Sequence, residues 1–60
     1  MSDSIITKKA IAVSLKDLMK KKSLAKITVS DIVKNCNLNR QTFYYHFKDK
    51  YDLLHWIISN

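Results

Sequence analysis

A chain of 60 residues without a single glycine or proline lacks the two residue types that most often punctuate strands and tight turns. Every reversal must then be made by residues that carry a side chain. The apolar positions meanwhile recur at helical spacing: Ile11, Leu15, Leu18 and Met19 stand at i, i+4, i+7 and i+8, preceded by Ile6 and Ala10. Together these features predict an all-α fold made as one domain. Its core must be small, since a chain of this length buries only about 60% of the surface it exposes when unfolded.

Capping residues divide the chain into four helices. The first is expected near 5–22, with Ser4 as its N-cap and Lys20-Lys21-Lys22 placing positive charge at its carbonyl end. Thr28, followed three residues later by Asp31, has the pattern of a capping box and predicts a short second helix over 29–35. Asn35-Cys36-Asn37 supplies asparagine, which tolerates the left-handed conformation of a sharp turn, and Leu38 would tuck into the core. Asn39 is a natural N-cap for a third helix over 40–46, with Arg40, Gln41 and Thr42 in its first turn. Asp49 and Asp52 open a fourth helix over 50–59, whose Leu53, Leu54, Trp56, Ile57 and Ile58 exceed what the other helices can cover. Part of that face is expected to pack on something beyond these residues.

Charge narrows the choice of partner. Eleven Lys+Arg against five Asp+Glu give a formal net charge of +6, which favours nucleic acid or an acidic membrane surface. Ten of the basic residues are lysines; the lone arginine, Arg40, stands beside Gln41. Arginine's planar fork matches the O6/N7 edge of guanine and glutamine can pair with adenine, whereas lysine is a flexible point charge suited to phosphates. Phe43 and Phe47, at i and i+4, share a face and predict core anchors, with Tyr44 and Tyr45 turned away from it. Thr28 and Ser30 can offer hydroxyls, or the amides beside them, to phosphate, and Thr7, Lys8 and Lys9 are further candidates.

Other chemistries find little support. Cys36 is the one cysteine, so no internal disulfide forms, and a reducing cytoplasm is the default location. His46 and His55 have no carboxylate or cysteine at zinc-ligand spacing, and no metal or other cofactor is expected. A chain without glycine lacks a phosphate-cradling loop, and no nucleophile with its base or carboxylate pair suggests an enzyme. The acid near the start does not fit a secretory signal, and no apolar run approaches the roughly 18 residues of a membrane span. Two rivals remain: a membrane-surface module built on the Lys-rich first helix, and a protein-interaction module gripping through Trp56-Ile57-Ile58.

The run from Ile27-Thr28-Val29-Ser30-Asp31-Ile32-Val33 through Leu38-Asn39-Arg40-Gln41-Thr42-Phe43-Tyr44-Tyr45-His46-Phe47-Lys48-Asp49-Lys50 closely resembles the DNA-binding domain of TetR-family transcriptional regulators. Its most specific part is Thr42 to Lys50, and with Tyr51-Asp52-Leu53-Leu54 and Trp56 it is similar to the branch of dihydroxyacetone kinase regulators. The resemblance covers about residues 6–58. It departs at Ser23 and Asn37, where the family usually has glycine. It implies a homeodomain-like helix-turn-helix fold, with helix 40–46 in the major groove of double-stranded DNA. Carried over by position, Arg40, Gln41, Thr42 and Tyr44 would read bases, and Thr28, Ser30, Tyr45, His46 and Lys50 would meet phosphates. It further implies a homodimer on a palindromic operator, and an effector bound by a larger C-terminal domain that these residues do not contain.

Overall fold

The side chains of Ile11, Leu15, Ile27, Ile32, Phe43 and Leu53 are fully buried, and they come from every helix and from the turn between the first two. Ala12, Val33 and Phe47 complete the core, with Leu18, Leu24, Val29, Cys36, Leu38, Trp56 and Ile57 packed around it. The computed structural model describes residues 3–59, and the order along them is α1 (Asp3–Met19), a 3-10 turn (Leu24–Lys26), α2 (Val29–Asn35), α3 (Arg40–His46) and α4 (Lys50–Ser59). The all-α expectation and the bounds of the last three helices agree with this order. Helix α1 packs on each of the other three, and α2 packs on α3.

The first helix differs from expectation at both ends. It already includes Asp3 and Ser4, so Ser4 lies within the helix and is not its N-cap. At the other end α1 stops at Met19, three residues short of the expected Lys22. Leu18 is its last residue packed on the core, and the lysines beyond it have no apolar group to hold a further turn. There the hydrogen bonds tighten: the Lys20 amide donates to the Asp17 carbonyl at 3.2 Å and the Lys21 amide to the Leu18 carbonyl at 2.9 Å. The 3-10 turn that follows brings Leu24 and Ile27 back to the core.

A small residue sets the approach of α1 to α2. Ser14 is buried, and its hydroxyl donates to the Ile32 carbonyl at 2.6 Å, while the Asn35 side-chain amide donates to the Ser14 carbonyl at 3.3 Å. Two helix backbones thus meet through one satisfied hydroxyl.

Without glycine, α2 ends on Asn37, whose φ is 59°. The Leu38 amide donates to the Val33 carbonyl at 2.8 Å and the Asn37 amide to the Lys34 carbonyl at 3.4 Å, the paired bonds of a Schellman motif. The same reversal leaves Leu38 half-buried against the core, as the sequence suggests. Asparagine accepts this conformation at modest cost, but a β-branched residue does not. Asn37→Gly should therefore leave thermal stability within about 1 kcal/mol, whereas Asn37→Val should cost about 1–3 kcal/mol. Thermal melts followed by circular dichroism measure both.

Candidate nucleic-acid interface

The geometry of α3 follows from its two ends. At its start the Asn39 side-chain oxygen accepts from the Thr42 amide at 2.8 Å and from the Thr42 hydroxyl at 2.9 Å. At its end Phe47 is buried and meets Trp56 of α4 edge-on at 5.9 Å between ring centroids. Phe43 lies between them, 0% exposed and 5.8 Å from Phe47. Both phenylalanines thus anchor the helix, as their spacing suggests. The opposite side turns outward: Arg40 and Gln41 are exposed, Tyr44 is 55% exposed and Tyr45 82%. Arg40 has no carboxylate partner among the described residues.

Gln41 and Tyr45, one helical turn apart, form a shallow hollow of about 250 Å³ together with Asn39 and Thr42. Thr42 is half-buried and its hydroxyl hydrogen is given to Asn39, so outward it offers an acceptor oxygen and a methyl group. His46 is half-buried, with the Tyr45 ring edge-on at 4.9 Å. Asn39, read from the sequence as a cap alone, lines the hollow as well; a cap residue at the head of an exposed helix is a signal for such a dual position.

A second set of groups gathers at the head of α2. Thr28 and Asp31 form the expected capping box: the Thr28 Oγ1 accepts from the Asp31 amide at 3.1 Å, and Asp31 Oδ2 accepts from the Thr28 amide at 3.0 Å. Lys22 donates to the same Oδ2 at 3.0 Å and ties in the end of α1. Thr28 is exposed and Ser30 half-buried. Lys50 reaches back from the head of α4 to the turn before α2. Its ammonium donates to the carbonyls of Leu24 and Ile27, each at 2.7 Å, with Ala25 in an exposed contact at 3.4 Å and the Tyr51 ring centroid at 5.5 Å. No spacing rule connects residues 26 apart, and this contact had no sequence signal.

Elsewhere, Lys9 and Lys16 flank a groove of about 270 Å³ between α1 and α4, floored by Ala12, Val13, Trp56 and Ile57. Lys9 therefore stands beside α4, while Thr7 and Lys8 are half-buried. The Cys36 thiol donates to the Ile32 carbonyl at 3.3 Å. Among the described residues there is no cluster of three or more potential metal ligands, and no helix is long and apolar enough to cross a membrane.

Two short helices joined by a tight left-handed turn, the second anchored by aromatics and exposed along its polar side, make a helix-turn-helix domain. The family of bacterial regulatory proteins known as tetR matches residues 9–57, and the chain belongs to that family. It is a DNA-binding domain of transcription regulation, not an enzyme fold. Over its whole length it is 47% identical to the HTH-type dhaKLM operon transcriptional activator DhaS of Lactococcus lactis subsp. lactis (strain IL1403), of which it spans 32%. A solved structure described as the dihydroxyacetone kinase operon activator DhaS superposes with a TM-score of 0.90 and 46% identity, over 93% of this chain and 32% of that one. The relation to the dihydroxyacetone kinase regulator branch is thereby shown, and the chain spans about a third of these relatives' length.

The Asp31 network makes the cap sensitive to acid. The Thr28 amide foremost, then the Lys22 ammonium, hold the Asp31 carboxyl at about 2, below its ordinary 3.8. A carboxyl that keeps its charge longer in the folded chain stabilises the fold above pH 3.8, and that contribution disappears as pH falls through about 2. In urea titrations the chain should be more stable than Asp31→Asn at about pH 5, with the gap closing towards about pH 2. A gap that stays constant would show that the carboxylate charge is not what the cap uses.

Proposed function

We propose that α3 enters the major groove of double-stranded DNA and that Arg40, Gln41, Thr42 and Tyr44 read base edges there. The observation that carries this reading is the division of α3 into two faces, with Phe43 and Phe47 buried and Arg40, Gln41, Tyr44 and Tyr45 exposed. Arg40 supplies a fork for guanine and Gln41 an amide for adenine; Thr42 and Tyr44 add an acceptor and an apolar edge near thymine methyls. Thr28, Ser30, Tyr45 and His46 meet the phosphates on either side and fix the register of the helix in the groove. The excess of lysine supplies a sequence-independent attraction to the same polyanion.

A helix of seven residues covers only a few base pairs, which supports a homodimer on a palindromic operator. In the relatives, about two thirds of the chain lies outside the matched part; that remainder is where dimerisation and effector binding would reside. The half-buried Trp56 and Ile57 and the 75% exposed Ile58 favour a further helical layer against α4. By similarity to DhaS, the controlled genes are those of a dihydroxyacetone kinase operon, regulated in the cytoplasm.

Selection of bound sequences from random duplexes, with an artificially dimerised form, tests the assignment. Arg40→Ala should relax preference at one or two operator positions by about 1–3 kcal/mol while leaving random-duplex binding nearly unchanged. Equal weakening on selected and random duplexes would remove Arg40 from base reading.

A further inference from the structure

The side chain of Asn39 is held in one orientation. Its Oδ1 accepts from the Thr42 amide at 2.8 Å and from the Thr42 hydroxyl at 2.9 Å, which engages both lone pairs of the carbonyl. A main-chain amide can only donate, so the oxygen of Asn39 must face it and the nitrogen cannot. The two hydrogens on Nδ2 therefore point away from the Thr42 amide, and no acceptor among the described residues takes them. Asn39 is exposed and lines the outward hollow with Gln41, Thr42 and Tyr45. Its unused donors thus stand beside Gln41 and Thr42, the side chains directed at base edges in the reading above.

An asparagine in a major groove ordinarily pairs with adenine, accepting from N6 while donating to N7. Asn39 lacks the accepting half of that pair, because Thr42 occupies it. Guanine presents O6 and N7 and thymine O4, whereas adenine sets amino hydrogens beside its N7 that meet no acceptor. We propose that Asn39 is a specificity-determining residue that reads DNA as a donor alone, favouring a base with a carbonyl at the major-groove edge, guanine or thymine, over adenine or cytosine. The inference rests on α3 lying in the major groove as proposed above. It gives a second role to a residue that the sequence marks only as a cap, and it makes Thr42 the group that decides which half of the amide faces the DNA.

Serine and aspartate cap a helix start about as well as asparagine, so Asn39→Ser and Asn39→Asp should both fold, with thermal melts close to that of the unsubstituted chain. In the selection from random duplexes, guanine or thymine should be preferred about tenfold at one position of each half-site. Asn39→Ser should lose that preference while the other positions and random-duplex binding stay nearly unchanged. Asn39→Asp, which presents acceptors only, should turn the same position towards cytosine or adenine. Should one variant fail to fold, the other decides. If the base that Asn39→Ser ceases to prefer is adenine, Thr42 has released Oδ1 and the proposal is overturned. Equal weakening of selected and random duplexes by Asn39→Ser, the signature of a phosphate contact, would overturn it too, as would an unchanged selection in both variants. If Arg40→Ala also leaves the selection unchanged, the reading of α3 fails and takes this inference with it. If Arg40→Ala relaxes its own position and the Asn39 variants change nothing, only the role of Asn39 fails.

Discussion

Burial of Phe43 is the constraint on which the rest of this domain depends. A helix of seven residues is too short to persist in water on its own, since nucleation costs more than so few hydrogen bonds return. Helix α3 exists because Phe43 is fully buried among Ile11, Leu15, Ile27, Ile32 and Leu53, and because Phe47 follows one turn later against Trp56. Anchoring one side of the helix in this way also determines which residues face out. The positions of Arg40 and Gln41 are in this sense a property of the core.

A core this small leaves little margin for unsatisfied polar groups, and the chain meets that demand with side-chain caps. Thr28 with Asp31, Asn39 with Thr42, and Asp49 with the Asp52 amide each close a helix start. Asp52 also accepts from the Lys48 amide at 2.9 Å, which fixes the bend between α3 and α4. Asn37 makes the one left-handed turn among the described residues. Among those residues no buried side-chain polar atom lacks a partner. The absence of glycine is thus compensated by short polar residues that hydrogen-bond to the neighbouring backbone.

Local chemistry was legible in the sequence where it is encoded over three or four residues. The capping box at Thr28 and the shared face of Phe43 and Phe47 follow from spacing, and the cap at Asn39 and the turn at Asn37 from residue type. The end of α1 was not, because lysines are good helix formers and only the loss of core contact beyond Leu18 stops the helix at Met19. The 3-10 turn at Leu24–Lys26 escaped for a related reason: it is a connector shaped by where Leu24 and Ile27 must pack. Least legible was Lys50, whose partners are main-chain carbonyls, and a carbonyl leaves no mark on the residue type that carries it. The exposed face of α3 was readable as a set of residues, because it is the side that the burial of Phe43 and Phe47 leaves outward.

The two-sided character of α3 has a consequence for how such a domain changes over generations. Residues on the outward side, Arg40, Gln41, Tyr44 and Tyr45, are exposed, and exchanges at such places usually alter stability little. Those on the inward side, Phe43 and Phe47, leave scarcely any freedom. Asn39 and Thr42 fall between, since they border the outward hollow and also close the start of the helix. Single substitutions on the outward side can therefore change its chemistry while the fold is kept, whereas a change at Asn39 or Thr42 alters the hollow and the helix start together.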